Sequence, residues 1–368
     1  MHSLAYLIGA GSMSLGVERA GFQLEHLYET PGYGKNAQTW TLNRPEVPVN
    51  ILELDHTSTF FRQHQGLDLI YGNPPCGGLS SMTCSRMESP TNLCMRQWIR
   101  MVVQAKPRMI LMENAYQLAT ERVKPLLQDL TDVLDSHDYY WWTWMFYSYQ
   151  VGTPQIRRRM FLCATLDRPR RSDLFGLDDL PRAGDKTRCP CGVFLDDLIG
   201  VRPSSQDVIN TRGEAITQHG YDRMDYYTEL NRLVGVHRQR LSEPHVAMRL
   251  LEKTRLKAAE GNPLSISQLP NYEKWAWPDM PKQFDGMSMT RPQIIHFDRA
   301  APAMVGFFKF VHPLDDRVLT MREMARLMGY PDSWQFHKLR PHLLAQGVPA
   351  NSTMWATKRM LAVIGQDK

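Results

Sequence analysis

Four groups of residues are of types and spacings that do chemistry. Cys76 follows Pro74-Pro75 at the end of an apolar run and opens the loop Gly77-Gly78-Leu79-Ser80. A thiolate is strongly nucleophilic even when only a small fraction of the thiol is ionised. A small buried residue is the competing reading of such a cysteine. Glu113 closes the apolar run Met109–Met112, where a solvated acid is not expected. Burial would raise its pKa and let it hold a proton near neutral pH, and an ion pair to a nearby arginine is the alternative. Gln155-Ile156-Arg157-Arg158-Arg159 stands directly before another apolar run. In an extended segment Arg157 and Arg159 share one side, so two guanidinium groups could reach one site; a solvated or phosphate-facing patch is the other reading. Gly9-Ala10-Gly11 ends the first apolar run, Gly16 lies in the helix that follows, and Glu29 stands twenty residues after Gly9. That is the geometry of a nucleotide-cofactor loop: glycines let a ligand approach the backbone, and a carboxylate accepts from ribose hydroxyls. The spacing is G-x-G-x-x-x-x-G, which disfavours a pyrophosphate-binding dehydrogenase and leaves an ordinary tight turn open.

These residues need elements to position them. Strands are predicted at Leu4–Ile8, Leu24–Tyr28, Asp68–Tyr71, Arg108–Met112, Tyr140–Tyr147 and Arg159–Thr165. Helices are predicted at Ser14–Ala20, Met95–Gln104 and Val123–Leu134. Such alternation argues for an α/β fold with a doubly wound, parallel sheet. Ligands bind such sheets outside the carboxyl ends of the strands, which points at Gly9–Gly11, Pro74–Cys76 and Glu113–Asn114. After about Thr165 the alternation is lost, apart from a helical stretch at Pro244–Ala259. Helical periodicity returns from Leu319 and ends in an amphipathic helix at Thr357–Ile364. The expected organisation is a first domain over 1–195, a second, smaller one over 196–320, and a C-terminal return over 321–368.

The chain has 368 residues, 43% hydrophobic and 22% charged, which excludes wholesale disorder. Its Gly and Pro have no period, and no apolar run reaches the ~18 residues a membrane helix needs. The N-terminal MHSLAYLIGAGS has no basic region and is expected not to be a signal peptide. A formal charge of +5 permits a nucleic-acid partner without requiring one. Six cysteines in a chain of this size are not a disulfide scaffold, so a reducing, cytoplasmic setting is expected. Cys189 and Cys191 lack a second pair at zinc-like spacing and read as a turn; Cys84, Cys94 and Cys163 read as structural, and no metal site is expected.

Taken together, the motifs resemble those of the DNA cytosine-5 methyltransferases. The run Leu7-Ile8-Gly9-Ala10-Gly11-Ser12 through Gly21-Phe22 is similar to their first motif. Gly72-Asn73-Pro74-Pro75-Cys76 resembles their Pro-Cys motif, Glu113-Asn114-Ala115 their Glu-Asn-Val motif, and Gln155-Ile156-Arg157-Arg158-Arg159 their Gln-x-Arg-x-Arg motif. Arg317 to Asp332 is similar to the segment after their recognition domain, and Asn351-Ser352 to their last motif. The matches run in family order along nearly the whole chain. Departures are Leu7 for an aromatic, Ser12 for Gly, Gly77 for Gln, and a lengthened last motif, Gln346-Gly347-Val348-Pro349-Ala350-Asn351-Ser352.

The resemblance implies a Rossmann-like fold and S-adenosylmethionine as methyl donor, held by Leu7, Gly9, Gly11, Ser12, Glu29, Pro74, Asn351 and Ser352, with Asn50 favoured over Asp55 for the adenine. It implies that Cys76 attacks C6 of cytosine, that Glu113 binds N3 and the exocyclic amine, and that Arg159, with Arg157 beside it, holds O2. The substrate would be double-stranded DNA with the base flipped out, under a lid formed by the Gly77–Pro90 loop. Ser80, Arg86, Gln155, Lys274, Lys282 and Arg291 are the expected DNA contacts, the last three inside a target-recognition domain that also offers Asn271 and Gln283. A monomer in the cytoplasm of a bacterial cell or a virus-infected host is expected. The alternatives are an RNA cytosine-5 methyltransferase of the same fold, a silent DNA-binding protein, and a donor carrying a larger group.

Overall fold

Runs such as Leu69-Ile70-Tyr71 and Met109-Ile110-Leu111-Met112 are apolar at every position, which suits strands covered on both faces. In the structure, a computed structural model, they form the centre of a seven-stranded sheet. It describes residues 1–53, 60–75, 90–225, 227–228, 231–232, 234–235, 293–306 and 308–366. The strands are β1 (His2–Tyr6), β2 (Gln23–Glu29), β3 (Val49–Ile51), β4 (Leu69–Gly72), β5 (Met109–Ala115), β6 (Tyr140–Tyr147) and β7 (Arg158–Thr165). Their order is β3-β2-β1-β4-β5-β7-β6. Strands β3 to β5 pair in parallel, but β7 runs antiparallel to both β5 and β6. The expected all-parallel sheet is corrected there. Only residues 148–157 join β6 to β7, fewer than the dozen or so that a parallel crossover needs.

Seven helices matter for the site: α1 (Ser12–Arg19), α2 (Gly34–Asn43), α3 (Pro90–Val102), α4 (Lys124–Asp135), α5 (Met321–Arg326), α6 (Pro341–Ala345) and α7 (Ala350–Val363). Alternate strand residues feed two cores. Ala5, Leu27, Leu69, Leu111 and Phe161 pack with α1, α2 and the C-terminal helices. Leu4, Ile70, Ile110, Met112 and Leu162 pack with α3 and α4 on the other face. Each such side chain removed from water contributes about 1.5–3 kcal/mol, so the strand ends sit on a stiff platform. Helix α2 was not expected from the sequence. Helix α7 starts seven residues before Thr357, because its polar first turn conceals the helical period.

Beyond the sheet, Val208–Ile209 pairs with Ala215–Ile216, and Gln293–Ile294 with Phe310–Val311. Ala301–Pro302 pairs with Gln155–Ile156, and the Cys191 and Gly192 amides donate to the carbonyls of Arg299 and Phe297. Part of the expected second domain is thus stitched to the catalytic side. Cys189 and Cys191 are buried free thiols, as is Cys163. Among the described residues no cluster of His, Cys, Asp and Glu could hold a metal, and no helix is long and apolar enough to cross a membrane. Asp55, Cys76, Ser80, Cys84, Arg86, Lys274, Lys282 and Arg291 lie outside the described residues, as do Asn271, Gln283 and the helix expected at Pro244–Ala259.

Candidate active site

The turn after β1 coils sharply. Leu7, Gly9 and Gly11 have φ of 73°, 56° and 87°. For Leu7 this left-handed backbone costs roughly 1–2 kcal/mol, offset by its burial and by its amide donating to Tyr28 O at 3.0 Å. The coil aims the Gly9 amide at Glu29 Oε2, 2.8 Å away, while Glu29 Oε1 accepts from the Thr30 amide at 2.8 Å. Burial holds the Glu29 carboxyl above its ordinary pKa, against the lowering effect of these hydrogen bonds. A Cβ on Gly9 would meet no atom within 4 Å, whereas one on Gly11 would come within 2.5 Å of the Trp40 ring. Gly9 therefore borders open space, and Gly11 serves packing.

That space is a cavity of about 330 Å³, within the range of roughly 300–1,000 Å³ usual for small-molecule sites. Leu7 and Gly9 line it from the turn after β1, Glu29 from the end of β2, Tyr33 and Asn36 from the start of α2; Asn73, Pro74 and Pro75 from the segment after β4; Arg159 from β7; Ala345 and Gln346 from the end of α6. Asn36 Nδ2 donates to Gln346 Oε1 at 3.3 Å and closes one side. Tyr33 and Asn36 were not singled out by sequence, and Gln346 was named only as the start of the lengthened last motif. Tyr33 and Asn36 follow the carboxyl end of β2, a place the strand-end rule reaches, but their types form no pattern.

At the cavity wall, Arg159 Nε lies 2.8 Å from Glu113 Oε1. Among the described residues neither atom makes a hydrogen bond, so this contact is electrostatic. Glu113 Oε2 accepts from Asn73 Nδ2. Glu113 is fully buried, and desolvation raises its carboxyl despite the charges of Arg159 and Arg157 and the Asn73 bond. Asn114 Nδ2 donates to Pro74 O at 3.1 Å, which ties the end of β5 to the segment leading to Cys76.

Other expected contacts are placed elsewhere. Arg157 precedes β7 and does not join Arg159 on the carboxylate; it donates to the carbonyls of Ala345 (2.6 Å), Gly347 (2.8 Å) and Met304 (3.4 Å). Gln155 is buried rather than open to DNA, its Nε2 donating to Leu327 O and its Oε1 accepting from the Met304 amide. Ser12 Oγ accepts from the Val348 amide. Asn351 donates to Gly152 O and accepts from Arg19, and Ser352 is buried in α7. Asn50 is exposed on β3. Ser12, Asn50, Asn351 and Ser352 do not line the cavity: Ser12 and Asn351 tie α1 to the C-terminal segment, Ser352 is buried in α7, and Asn50 faces solvent.

The residues present fit the donor expected from the resemblance. Bare backbone at Gly9, the Glu29 carboxylate as a ribose acceptor, and the Glu113–Arg159 wall toward a reacting base all border one cavity. The Xanthomonas oryzae type II methyltransferase M.XorII is 24% identical over 91% of this chain and 77% of its own length. The Neisseria gonorrhoeae type II methyltransferase M.NgoMIV is 23% identical over 91% of this chain and 88% of its own. Among solved structures, the Entamoeba histolytica methyltransferase EhMeth shares the fold, with a TM-score of 0.62 at 11% identity and 98% coverage of both chains. The sequence profile described as "C-5 cytosine-specific DNA methylase" matches residues 4–349. With this cavity at the carboxyl ends of its strands, the chain belongs to that family and transfers a methyl group from S-adenosylmethionine to C5 of cytosine in DNA.

Proposed function

We propose that the reaction runs on double-stranded DNA through a covalent adduct of Cys76, with the pair Glu113–Arg159 as the base-holding wall. The observation that carries this is the buried Glu113 carboxyl, 2.8 Å from Arg159 at the edge of a cavity that Gly9, Glu29 and Pro75 also line. Cys76 follows Pro75 in the chain. The target base leaves the stack at a cost of a few kcal/mol. The Cys76 thiolate adds to C6, and electron density moves to C5. Glu113, whose raised pKa favours the protonated form, donates to N3 and accepts from the exocyclic amine. Arg159 donates to O2. S-adenosylmethionine, held there, would supply an electrophilic sulfonium methyl to C5 and leave as S-adenosylhomocysteine. The C5 proton is lost to solvent water, and the ring expels the Cys76 thiolate. Gly9 and Glu29 hold the donor, and Asn73 keeps Glu113 in place.

Residues 196–320 form the target-recognition domain, and 321–368 return to the catalytic domain. The chain acts as a monomer in the cytoplasm, and the type II names of its relatives support a place in restriction–modification. The experiment is transfer of tritium from labelled donor to duplex DNA, with Cys76→Ala abolishing it. Duplexes carrying 5-fluorocytosine at the target should give a denaturant-resistant adduct with the native chain. If no adduct forms, or one forms in Cys76→Ala, the mechanism is wrong.

A further inference from the structure

The three consecutive arginines have three different surroundings. Arg157 is turned onto backbone carbonyls and Arg159 onto Glu113. Among the described residues Arg158 has no hydrogen-bond or ion-pair partner. It is half-buried, and its guanidinium sits 5.3 Å from the ring centroid of Tyr116 and 5.6 Å from that of Tyr147. Tyr147 stacks in turn on Tyr149, whose hydroxyl accepts from the Gly184 amide. Two aromatic rings thus contact the cation. Such contacts hold the guanidinium in place without using its N–H groups as hydrogen-bond donors to a charged partner.

A second, open cavity of about 450 Å³ borders this group, lined by Tyr116, Gln117, Tyr147 and the three arginines among others, with no carboxylate among the described residues that line it. It shares Arg159 and Ala345 with the donor cavity, so it adjoins the place where the base reacts. A guanidinium that no described carboxylate pairs, at the side of a cleft, calls for an anion with paired oxygens, and phosphate fits bidentately. We infer that Arg158 binds a backbone phosphate of the DNA strand that carries the flipped cytosine, held ready by Tyr116 and Tyr147. This rests on the DNA methyltransferase reading and adds a positioning residue to it.

The test compares the native chain with Arg158→Ala, Arg158→Gln and Arg158→Lys. Initial rates of tritium transfer to unmethylated genomic duplex DNA are measured against DNA concentration at about 50 and 200 mM salt. Melting temperature and binding of S-adenosylhomocysteine show which variants keep the fold. Losing one phosphate contact makes the slope of log KM against log salt shallower by about 0.9, so the KM penalty shrinks about 3.5-fold over that range. Arg158→Ala and Arg158→Gln should show this, with kcat falling less than KM rises, and Arg158→Lys should restore the native slope. If folded Arg158→Ala or Arg158→Gln keeps the native slope, whatever its rate, the phosphate assignment is overturned. If the native chain transfers no tritium to DNA, it is the methyltransferase reading that fails.

Discussion

Glu113 and Glu323 are both fully buried beside an arginine, yet their carboxyls move in opposite directions. Glu323 accepts from both Nη atoms of Arg317, at 2.7 and 2.8 Å, and from the Thr320 amide at 2.8 Å. These partners outweigh its desolvation and hold it well below the usual carboxylate range. Glu113 meets Arg159 at an angle that makes no hydrogen bond, so desolvation wins and its pKa rises. The consequences for stability have opposite signs. Glu323 contributes stability that is present above its unfolded pKa of about 4.3 and is lost as pH falls through its low folded value. Glu113 contributes stability below its unfolded pKa that is lost as pH rises through its raised folded value. Glu323→Gln should therefore lose about 3–5 kcal/mol at pH 8, because it breaks a buried pair, and the loss should shrink below about pH 4.3. Glu113→Gln resembles the neutral acid and leaves Arg159 in contact with the open cavity wall. It should be at least as stable as the native chain at pH 8, with any advantage fading toward pH 4.5, while methyl transfer drops about a hundredfold or more. Urea unfolding at both pH values checks this; a Glu113→Gln variant much weaker at pH 8 would show that the arginine, not desolvation, governs the site.

Helix α1 packs on α7 through a glycine whose role the spacing Gly9, Gly11, Gly16 disguised. A Cβ at Gly16 would lie 2.4 Å from Ala350 O and 2.6 Å from Thr353 Cβ. Those neighbours are a helix backbone and a β-branched side chain, so relief requires the helices to part. Gly16→Ala should thus destabilise by roughly 1–3 kcal/mol, beyond the gain of up to about 1 kcal/mol that alanine offers in a helix. A urea midpoint at or above that of the native chain would show that the interface yields freely. The same case shows what was legible. Apolar runs and strand–helix alternation located β1, β2, β4, β5, β6 and β7 within a few residues: β1, β4, β5 and β7 are buried along nearly their whole length, and β6, at the sheet edge, still carries an aromatic run. Local pattern carried neither the reversal of β7, which follows from a short connection and a neighbour distant in sequence, nor the start of α7, whose first turn Asn351-Ser352-Thr353 is polar and shows no apolar period. Gly16 looked like part of a ligand loop because only the return of residues 350–353 reveals what crowds it.

At the scale of the whole molecule, the donor cavity is built from both ends of the chain: Leu7 to Asn36 and Asn73 to Pro75 on one side, Ala345 and Gln346 on the other. Strand-end reasoning pointed to Gly9, Pro74 and Glu113, and the glycine-loop spacing to Glu29; Gly9, Glu29 and Pro74 line that space, and Glu113 pairs with Arg159 of its wall. It did not separate residues that border the cavity from residues that hold its wall, since Ser12, Gln155 and Arg157 differ from them only in partners contributed by residues 304–348. Arg157 is the tightest of these ties. It is buried, and one guanidinium nitrogen serves the carbonyls of both Ala345 and Gly347, on either side of Gln346. Replacing it with leucine leaves those acceptors without that donor in a dry site, at about 1–3 kcal/mol for each group left unsatisfied. The loop then relaxes, and with it the Gln346 amide that Asn36 reaches. Arg157→Leu should therefore lower stability by a few kcal/mol and weaken S-adenosylhomocysteine binding roughly tenfold, equivalent to about 1.4 kcal/mol, although its own guanidinium does not line that cavity. Calorimetric titration of the folded variant against the native chain measures this directly. Native-like affinity in a variant that has lost stability would mean the C-terminal wall holds its shape without Arg157, and that the two ends of the chain meet at the donor independently of this tie.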